Sequence, residues 1–304
     1  LTSTTSGTSN IGIGTTLSSN VDGNNNVAVG DDALTQANSS WNTAVGRNAY
    51  QLGTGGSNTI IGGDAMSEGS GQNNVAVGTN ALWYGNGDGN VAIGANSNYK
   101  NQSLTTFTNS TAVGFSSYAS GTGSVAVGAN SSTLNAKAIA IGNATAIADS
   151  SISIGEKTTS SDENAISMGT SSISSGDGSL SLGSWSEATG YRSVAVGPSS
   201  VSSSYASVAL GSESGASANY SISIGEFSRA TEHASIAIGD QAKAQGSQSV
   251  AIGQNSKVNG GNYSSALGYS ADASGHSAVA IGNNAKAVNN YNIAIGANAC
   301  QYVT

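Results

Sequence analysis

Side chains that could perform chemistry are few in this chain and lie far apart. Its 304 residues include two histidines, His233 and His276, and a single cysteine, Cys300. One cysteine cannot form an intrachain disulfide or a zinc site built from several cysteines. The acidic residues are scattered, whereas a glycosidase requires two carboxylates that converge in a cleft. We therefore predict no catalytic residues, no metal site and no cofactor, and we predict that the chain is not an enzyme.

The segment Gly85–Gly89 (GNGDG) has the composition of a phosphate-binding or calcium-binding loop. No Gly-Lys-Ser/Thr sequence completes a P-loop there, and the Gly-Gly-x-Gly-x-Asp nonapeptide of calcium-binding β-rolls is missing. Nine basic residues against 17 acidic ones, with a net charge of −8, also give no basic surface of the kind that nucleic-acid-binding proteins carry. We expect none of these ligands.

Aromatic side chains are better candidates for binding a partner. Aromatic rings present a large, rigid contact surface to carbohydrates and proteins. The candidates lie outside the repeated motif described below, largely at turns or in a longer copy of it, and are Trp41, Trp83, Tyr84, Tyr99, Phe107 and Trp185. We predict that these residues form the binding surface. The alternative is that they fill irregular turns or pack between protomers.

The elements that would carry these side chains are set by an internal repeat. The pattern apolar–small–apolar–Gly occurs in 20 copies, for example Val27–Gly30 (VAVG). Consecutive copies first follow a 16-residue period, then one longer interval between Gly94 and Gly114, and then mostly a 14-residue period. The alternation predicts a short strand, and the glycine after it predicts a tight turn. The predicted turn glycines include Gly30, Gly46, Gly62, Gly78, Gly94, Gly128, Gly197, Gly239, Gly253, Gly282 and Gly296.

A second, thinner strand is predicted in the same coil. A small residue lies three positions after most closing glycines, and in many copies another follows two positions later, as with Ala242 and Ala244. A 14-residue coil therefore holds two short strands and two turns. Stacked coils would pair each strand with the same strand one coil on. We predict an all-β fold, a parallel β-solenoid of about 20 coils with 14–16-residue repeats.

The interior of each coil is expected to be filled by the β-branched residues of the motif. The middle residues, such as Ala28, Ala195, Ser223 and Ala280, would then form a smooth outer strip. Because such a coil encloses little volume, several chains packed around one axis would bury more apolar surface than one chain alone. We predict a homo-oligomer, most simply a homotrimer; the alternative is a monomeric solenoid.

The repeat length divides the chain into four segments. Residues 1–10 are a Thr/Ser-rich lead-in, and residues 11–94 form a β-roll with 16-residue coils. Residues 95–114 hold a longer copy with an insertion, and residues 115–304 form a β-roll with 14-residue coils. Asn precedes the motif in the early coils and Ser precedes it in most later ones. We expect these residues to be turn residues or, for Asn, to form a ladder between coils.

The 14-residue copies resemble a known family. The segments Ser249–Ser256 (SVAIGQNS) and Ser193–Ser200 (SVAVGPSS) are similar to the YadA-like head repeat of trimeric autotransporter adhesins. The 16-residue copies, such as Asn74–Leu82 (NVAVGTNAL), resemble repeats that also occur in phage tail-fibre proteins. The resemblance implies a left-handed parallel β-roll that assembles as a homotrimer. It further implies an extracellular location, on a bacterial cell surface or a virion tail fibre.

The function that this resemblance implies is adhesion. The chain would be a fibrous adhesin or receptor-binding fibre segment that attaches a bacterial or phage surface to a host-surface glycan or an extracellular-matrix protein. We see no coiled-coil heptads and no strands of a membrane barrel, so we expect no membrane contact from this segment itself. Cys300 would be either a small buried residue or a crosslink between protomers, and a trimer could bring three copies of one histidine near its axis.

Two other functions are open to a solenoid. The chain could be a passive spacer of a surface or tail fibre, with a length set by the number of coils. An ice-binding solenoid would need threonine at equivalent positions coil after coil, and the threonines here do not recur in that way. We therefore rank ice binding last and keep the spacer as the alternative to adhesion.

Overall fold

The computed structural model describes residues 7–17, 22–36, 38–99 and 108–299. Over these ranges every regular element is a β-strand of two or three residues, and the chain is a parallel β-solenoid of about 19 turns, as predicted. The described residues include no helix long and apolar enough to cross a membrane. Contacts between Cα atoms divide the chain into two compact units, Leu1–Ile154 and Gly155–Thr304.

In the first unit, the repeated motifs form one parallel sheet, which we call a motif sheet. The register is regular, because Val27, Ala28 and Val29 pair with Thr43, Ala44 and Val45 of the next coil. The motif strands of this unit are Ile11–Ile13, Val27–Val29, Thr43–Val45, Thr59–Ile61, Val75–Val77, Val91–Ile93, Thr111–Val113, Val125–Val127, Ile139–Ile141 and Ile152–Ile154.

The opposite side of each coil forms a second ladder, which we call the back sheet. In the 16-residue coils it consists of the isolated bridges Thr54 to Ser70 and Ser70 to Asn86. In the 14-residue coils of the first unit it consists of the back strands Tyr118–Ala119, Ser132–Thr133 and Thr145–Ala146. A second strand in the 14-residue coils is therefore confirmed.

The second unit repeats this arrangement with 14-residue coils, of which the one between Gly253 and Gly268 is longer by a single residue. Its motif strands are Ile166–Met168, Leu180–Leu182, Val194–Val196, Val208–Leu210, Ile222–Ile224, Ile236–Ile238, Val250–Ile252, Ser265–Leu267, Val279–Ile281 and Ile293–Ile295. Its back strands are Thr159–Ser160, Ile173–Ser174, Glu187–Ala188, Val201–Ser202, Gly215–Ala216, Arg229–Ala230, Lys243–Ala244 and Lys257–Val258. Two bridges, Lys257 to Asp272 and Asp272 to Lys286, extend the back sheet.

The prediction that the β-branched residues fill the coil is wrong. The middle residues Ala28, Ala195, Ser223 and Ala280 are fully buried, whereas the flanking residues, such as Val194 and Val196 beside Ala195, are only partly buried. The physical reason is the short perimeter of the coil, which brings the motif strand so close to the opposite side of the coil that mostly small side chains fit at the middle position of the motif. The alternation of the strand then turns the β-branched side chains outward.

The 16-residue coils enclose a wider interior than the 14-residue coils. Leu34, Tyr50, Met66 and Leu82 follow the small residue of their coils and are fully buried. The Tyr50 hydroxyl donates to the Gly55 carbonyl at 3.0 Å and accepts from the side-chain amide of the next coil's Asn at 3.0 Å. Burial raises the pKa of Tyr50 above its ordinary value, because the tyrosinate would lose its hydration.

The asparagines before the early motifs form the predicted ladder. The Oδ1 atom of Asn42 accepts from the backbone N–H of Asn58 at 3.0 Å, and Oδ1 of Asn58 accepts from that of Asn74 at 2.9 Å. The left-handed backbone conformation occurs one residue earlier, for example at Trp41 (φ 67°). In the later coils serine closes its own turn instead, as Ser249 does by donating to the Gly246 carbonyl at 2.6 Å. The asparagines are therefore buried links between coils.

Candidate binding surfaces

The motif sheet of each unit presents a ladder of apolar side chains to the outside. In the first unit Ile61 and Ile93 are 42% and 40% exposed, and in the second unit Ile252 and Ile281 are 38% and 37% exposed. These residues recur at the same register position on stacked coils. Extended exposed apolar surfaces are uncommon on monomeric soluble proteins and mark interaction sites. We call these two surfaces the apolar faces.

Three of the six predicted aromatic residues lie together in the first unit. Trp83 and Tyr99 are one 16-residue coil apart and occupy equivalent positions, so stacking of the coils brings their rings to a centroid distance of 5.3 Å. Tyr84 stacks on Trp83 at 5.4 Å with an interplanar angle of 6°. The cluster is half-buried. Its rings give one continuous, rigid aromatic surface, which can contact the apolar face of a sugar or a protein side chain.

The other predicted aromatic residues do not join this cluster. Trp41 in the first unit is 66% exposed, and Trp185 in the second unit is 64% exposed. Both have a left-handed backbone conformation, with φ of 67° and 60°, which directs each ring out from a turn. Phe107 lies outside the described residues, as does Cys300. The predicted turn glycines have φ between 118° and 141°.

A ladder of stacked tyrosine and histidine rings in the second unit was not predicted from the sequence. Tyr191 stacks on Tyr205 at 5.4 Å, Tyr205 meets Tyr220 edge to face at 5.3 Å, and Tyr220 meets His233 edge to face at 5.7 Å. The three tyrosines are 38% to 52% exposed. The guanidinium of Arg192 lies 4.9 Å from the centre of the Tyr191 ring. The signal that could have revealed the ladder is the recurrence of these residues at the coil period, in the turn before the motif.

The turns before the later motifs of the second unit contain a second aromatic group, which includes the other histidine. His276 lies between Tyr263 and Tyr291, edge to face with both at 5.7 Å and 5.8 Å. Each histidine therefore belongs to its own aromatic group. Across the described ranges, no three His, Cys, Asp or Glu side chains converge as metal ligands would. The two Tyr–His groups present aromatic rings together with polar hydroxyl and imidazole groups, which suits recognition of a polar, ring-shaped partner.

Comparison with known proteins agrees with this geometry. The sequence model described as "YadA head domain repeat (2 copies)" matches residues 108–131, 119–145, 146–172, 174–200, 202–228, 230–256, 260–285 and 273–299. These segments together cover more than half of the chain, and they hold most of the 14-residue coils. No curated protein matches the chain. The resemblance inferred from the repeats is confirmed, and the chain belongs to the YadA head domain repeat family.

Proposed function

We propose that this chain is a segment of a homotrimeric extracellular fibre that attaches a bacterial surface or a virion to a host surface. The observation that carries the proposal is the apolar face of each unit, where partly exposed Ile, Val and Leu side chains follow one another coil after coil. Membership of an adhesin-type structural family supports the same function. In the proposed assembly each chain forms a left-handed β-roll. The proposed fibre binds its partners and catalyses no reaction.

Self-association follows from where the apolar side chains lie. The interior of the 14-residue coils is filled mainly by Ala and Ser, and the 16-residue coils add residues from outside the motif such as Leu34 and Tyr50. The flanking β-branched residues of the motif face outward and must find their packing partner on another chain. Three copies around one axis would cover every apolar face and close the assembly, so no apolar surface would remain to recruit further chains. The aromatic surfaces at the turns would stay available. We propose that the six predicted aromatic residues and the two Tyr–His groups contact a host glycan or matrix protein.

Sedimentation equilibrium of the whole chain tests the assembly. We expect a mass three times that of one chain. Ile222→Lys places a charge in the apolar face, where burial of an unpaired ammonium is costly, and we expect it to shift the protein to a smaller species. The matched control is Glu187→Lys, at an outward position of the back sheet, which should sediment like the unmodified protein. An unmodified protein that is monomeric would contradict the proposal.

A passive spacer is the second candidate function. It is favoured by the near-uniform step of the second unit, where consecutive coils add one rung to the motif sheet and one to the back sheet. A spacer requires only that the number of coils set a distance, whereas attachment requires particular side chains. The two functions differ in their response to the removal of whole coils.

A further inference from the structure

The back sheet of the second unit carries a row of cationic side chains. These side chains take no part in the proposed trimer contacts or in the proposed aromatic contacts. Arg229 pairs in register with Lys243, and Lys243 pairs with Lys257. Lys286 follows beyond Asp272 at the same position. Four of the nine basic residues of an acidic chain therefore share one outward-facing register position. We call this row the cationic ladder.

Three members of the cationic ladder have no acidic partner. Lys257 forms an ion pair with Asp272, with Nζ and Oδ2 3.0 Å apart. Among the residues that the structure describes, Arg229, Lys243 and Lys286 have no carboxylate oxygen within ion-pairing distance. Arg229 and Lys243 lie on neighbouring coils, which are about 4.8 Å apart, so their two uncompensated positive charges lie close together. An anionic ligand would relieve their repulsion.

The position of the Arg229 side chain depends on the residue that pairs with it in the preceding coil of the back sheet. Gly215 occupies the same register position one coil earlier, and a Cβ there would lie 3.0 Å from Cδ of Arg229. The absent side chain lets Arg229 lie across the sheet. Its guanidinium donates to the backbone carbonyl oxygens of Glu213 and, at 3.0 Å, Ser228. These bonds hold the cationic head in one place and leave other N–H donors for a ligand.

Arg229 separates two grooves on this sheet. The larger groove, of about 640 Å³, is lined by equivalent residues of two consecutive coils, namely Phe227, Arg229, Thr231, Gln241, Lys243 and Gln245. This lining has two cations, hydrogen-bonding amides and a hydroxyl, and no carboxylate. The smaller groove, of about 250 Å³, lies over Gly215 and Val201 and has Glu213 at its edge. An anionic group therefore fits the larger groove, and a neutral segment of the same ligand fits the smaller one.

We propose that these grooves bind a linear anionic polysaccharide, with an acidic group held between Arg229 and Lys243. The proposal rests on the proposed function and names the ligand class of the attachment surface. An extended sugar chain running along the ladder would meet one rung about every 4.8 Å. Phe227 offers a ring to a sugar face, and Gln241 and Gln245 offer amides to sugar hydroxyls. The back sheet is the opposite wall of the coil from the apolar face, so trimer assembly leaves it free.

A polysaccharide fits better than a nucleic acid. Nucleic acids are bound through many phosphate contacts over a broad basic surface, whereas this ladder has three uncompensated cations on a chain of net charge −8. The exposed Glu226 and the partly exposed Asp240 each adjoin a groove residue in sequence. Their carboxylates would repel a ligand with a high, uniform charge density, and they would tolerate a ligand whose acidic groups alternate with neutral hydroxylated rings.

The test uses the whole chain and heparin as the sulfated polysaccharide probe, at one fixed ionic strength. We expect Arg229→Gln and Lys243→Gln each to lower the affinity for heparin about tenfold, because each removes a charge-assisted hydrogen bond. The charge-matched control Lys137→Gln, at an exposed site in the first unit, should change it less than about twofold. Gly215→Val keeps the charge but displaces Arg229, and it should also weaken binding. Valine is tolerated at this register position in the preceding coil, at Val201.

Three results would overturn the proposal: no binding of heparin, an equal loss with Lys137→Gln, or equal affinity for duplex DNA or for vesicles of anionic phospholipid. The proposed function is judged separately by sedimentation and by adherence to host cells. If the trimer adheres and neither heparin nor the Lys243→Gln substitution reduces adherence, this inference fails and the proposed function stands. If the chain neither forms trimers nor adheres, the proposed function fails.

Discussion

At the scale of single residues, a closing glycine with a coil stacked on it is fixed by two separate constraints. Gly239 has φ of +129°, and a Cβ there would lie 2.6 Å from the carbonyl oxygen of Gly253 in the next coil. Gly260, in a turn of the second unit, has φ of +78°, and a Cβ there would have nothing within 4 Å. The first glycine is therefore required by backbone conformation and by the stacking of coils, and the second by conformation alone.

This difference predicts unequal effects of one substitution. Gly260→Ala should lower the free energy of unfolding by about 1 kcal/mol, the cost of placing a side chain on a left-handed backbone. Gly239→Ala should cost about 3 kcal/mol or more, because the new methyl group also forces adjacent coils apart. Thermal unfolding followed by circular dichroism measures both. Equal losses at the two sites would show that contact between coils does not constrain Gly239.

At the scale of the strand and the coil, the sequence predicted the elements but not their orientation. The spacing of the motif specifies a short strand, a turn and a parallel neighbour, and all three are present. Alternation along a strand separates two faces without saying which one is inside. The deciding quantity is the width of the coil, which depends on how the chain closes around it. In the 14-residue coils the width admits Ala237 and excludes Ile236 and Ile238.

The inside-out arrangement predicts which neighbouring residue tolerates a larger side chain. Ala237→Leu should lower the free energy of unfolding by about 3 kcal/mol or more, because the fully buried site has no room for three more carbon atoms. The matched control Ile238→Leu, one residue on and facing outward, should cost less than about 1 kcal/mol. Denaturation at one protein concentration measures both. If Ile238→Leu costs more than Ala237→Leu, the assigned orientation is wrong.

The surface sites form only when coils stack, because their residues lie a whole coil apart in the sequence. Trp83 with Tyr99, and Tyr191 with Tyr205, become neighbours because a whole coil separates them. Trp83 and Tyr99 were predicted because they lie at turns or in the longer copy, whereas Tyr191 and Tyr205, which also lie outside the motif, recur singly in the turns of regular coils. The cationic ladder was missed for the same reason, since each of its members lies on a different coil. Aligning the coils by their closing glycines would have revealed both.

At the scale of the whole molecule, removal of complete coils separates attachment from spacing. Deleting residues 226–253 removes two coils of the second unit together with Arg229 and Lys243. Deleting residues 156–183 removes a segment of the same length that contains no aromatic residue and none of the groove lining. Both deletions begin just after one closing glycine and end on another, so the remaining coils keep their register. Each shortens the stack of the second unit by about 10 Å.

The two functions predict opposite patterns for these deletions. If the chain attaches through the grooves, deletion of residues 226–253 should abolish heparin-dependent adherence, and deletion of residues 156–183 should preserve it. If the chain is a spacer, the two deletions should change the separation of the joined surfaces equally, and neither should selectively remove adherence. Adherence of beads coated with each protein gives the comparison, with sedimentation showing that both deletions keep the oligomeric state. Equal adherence after both deletions, together with an equal change in the separation of the joined surfaces, would favour the spacer over attachment through the cationic ladder.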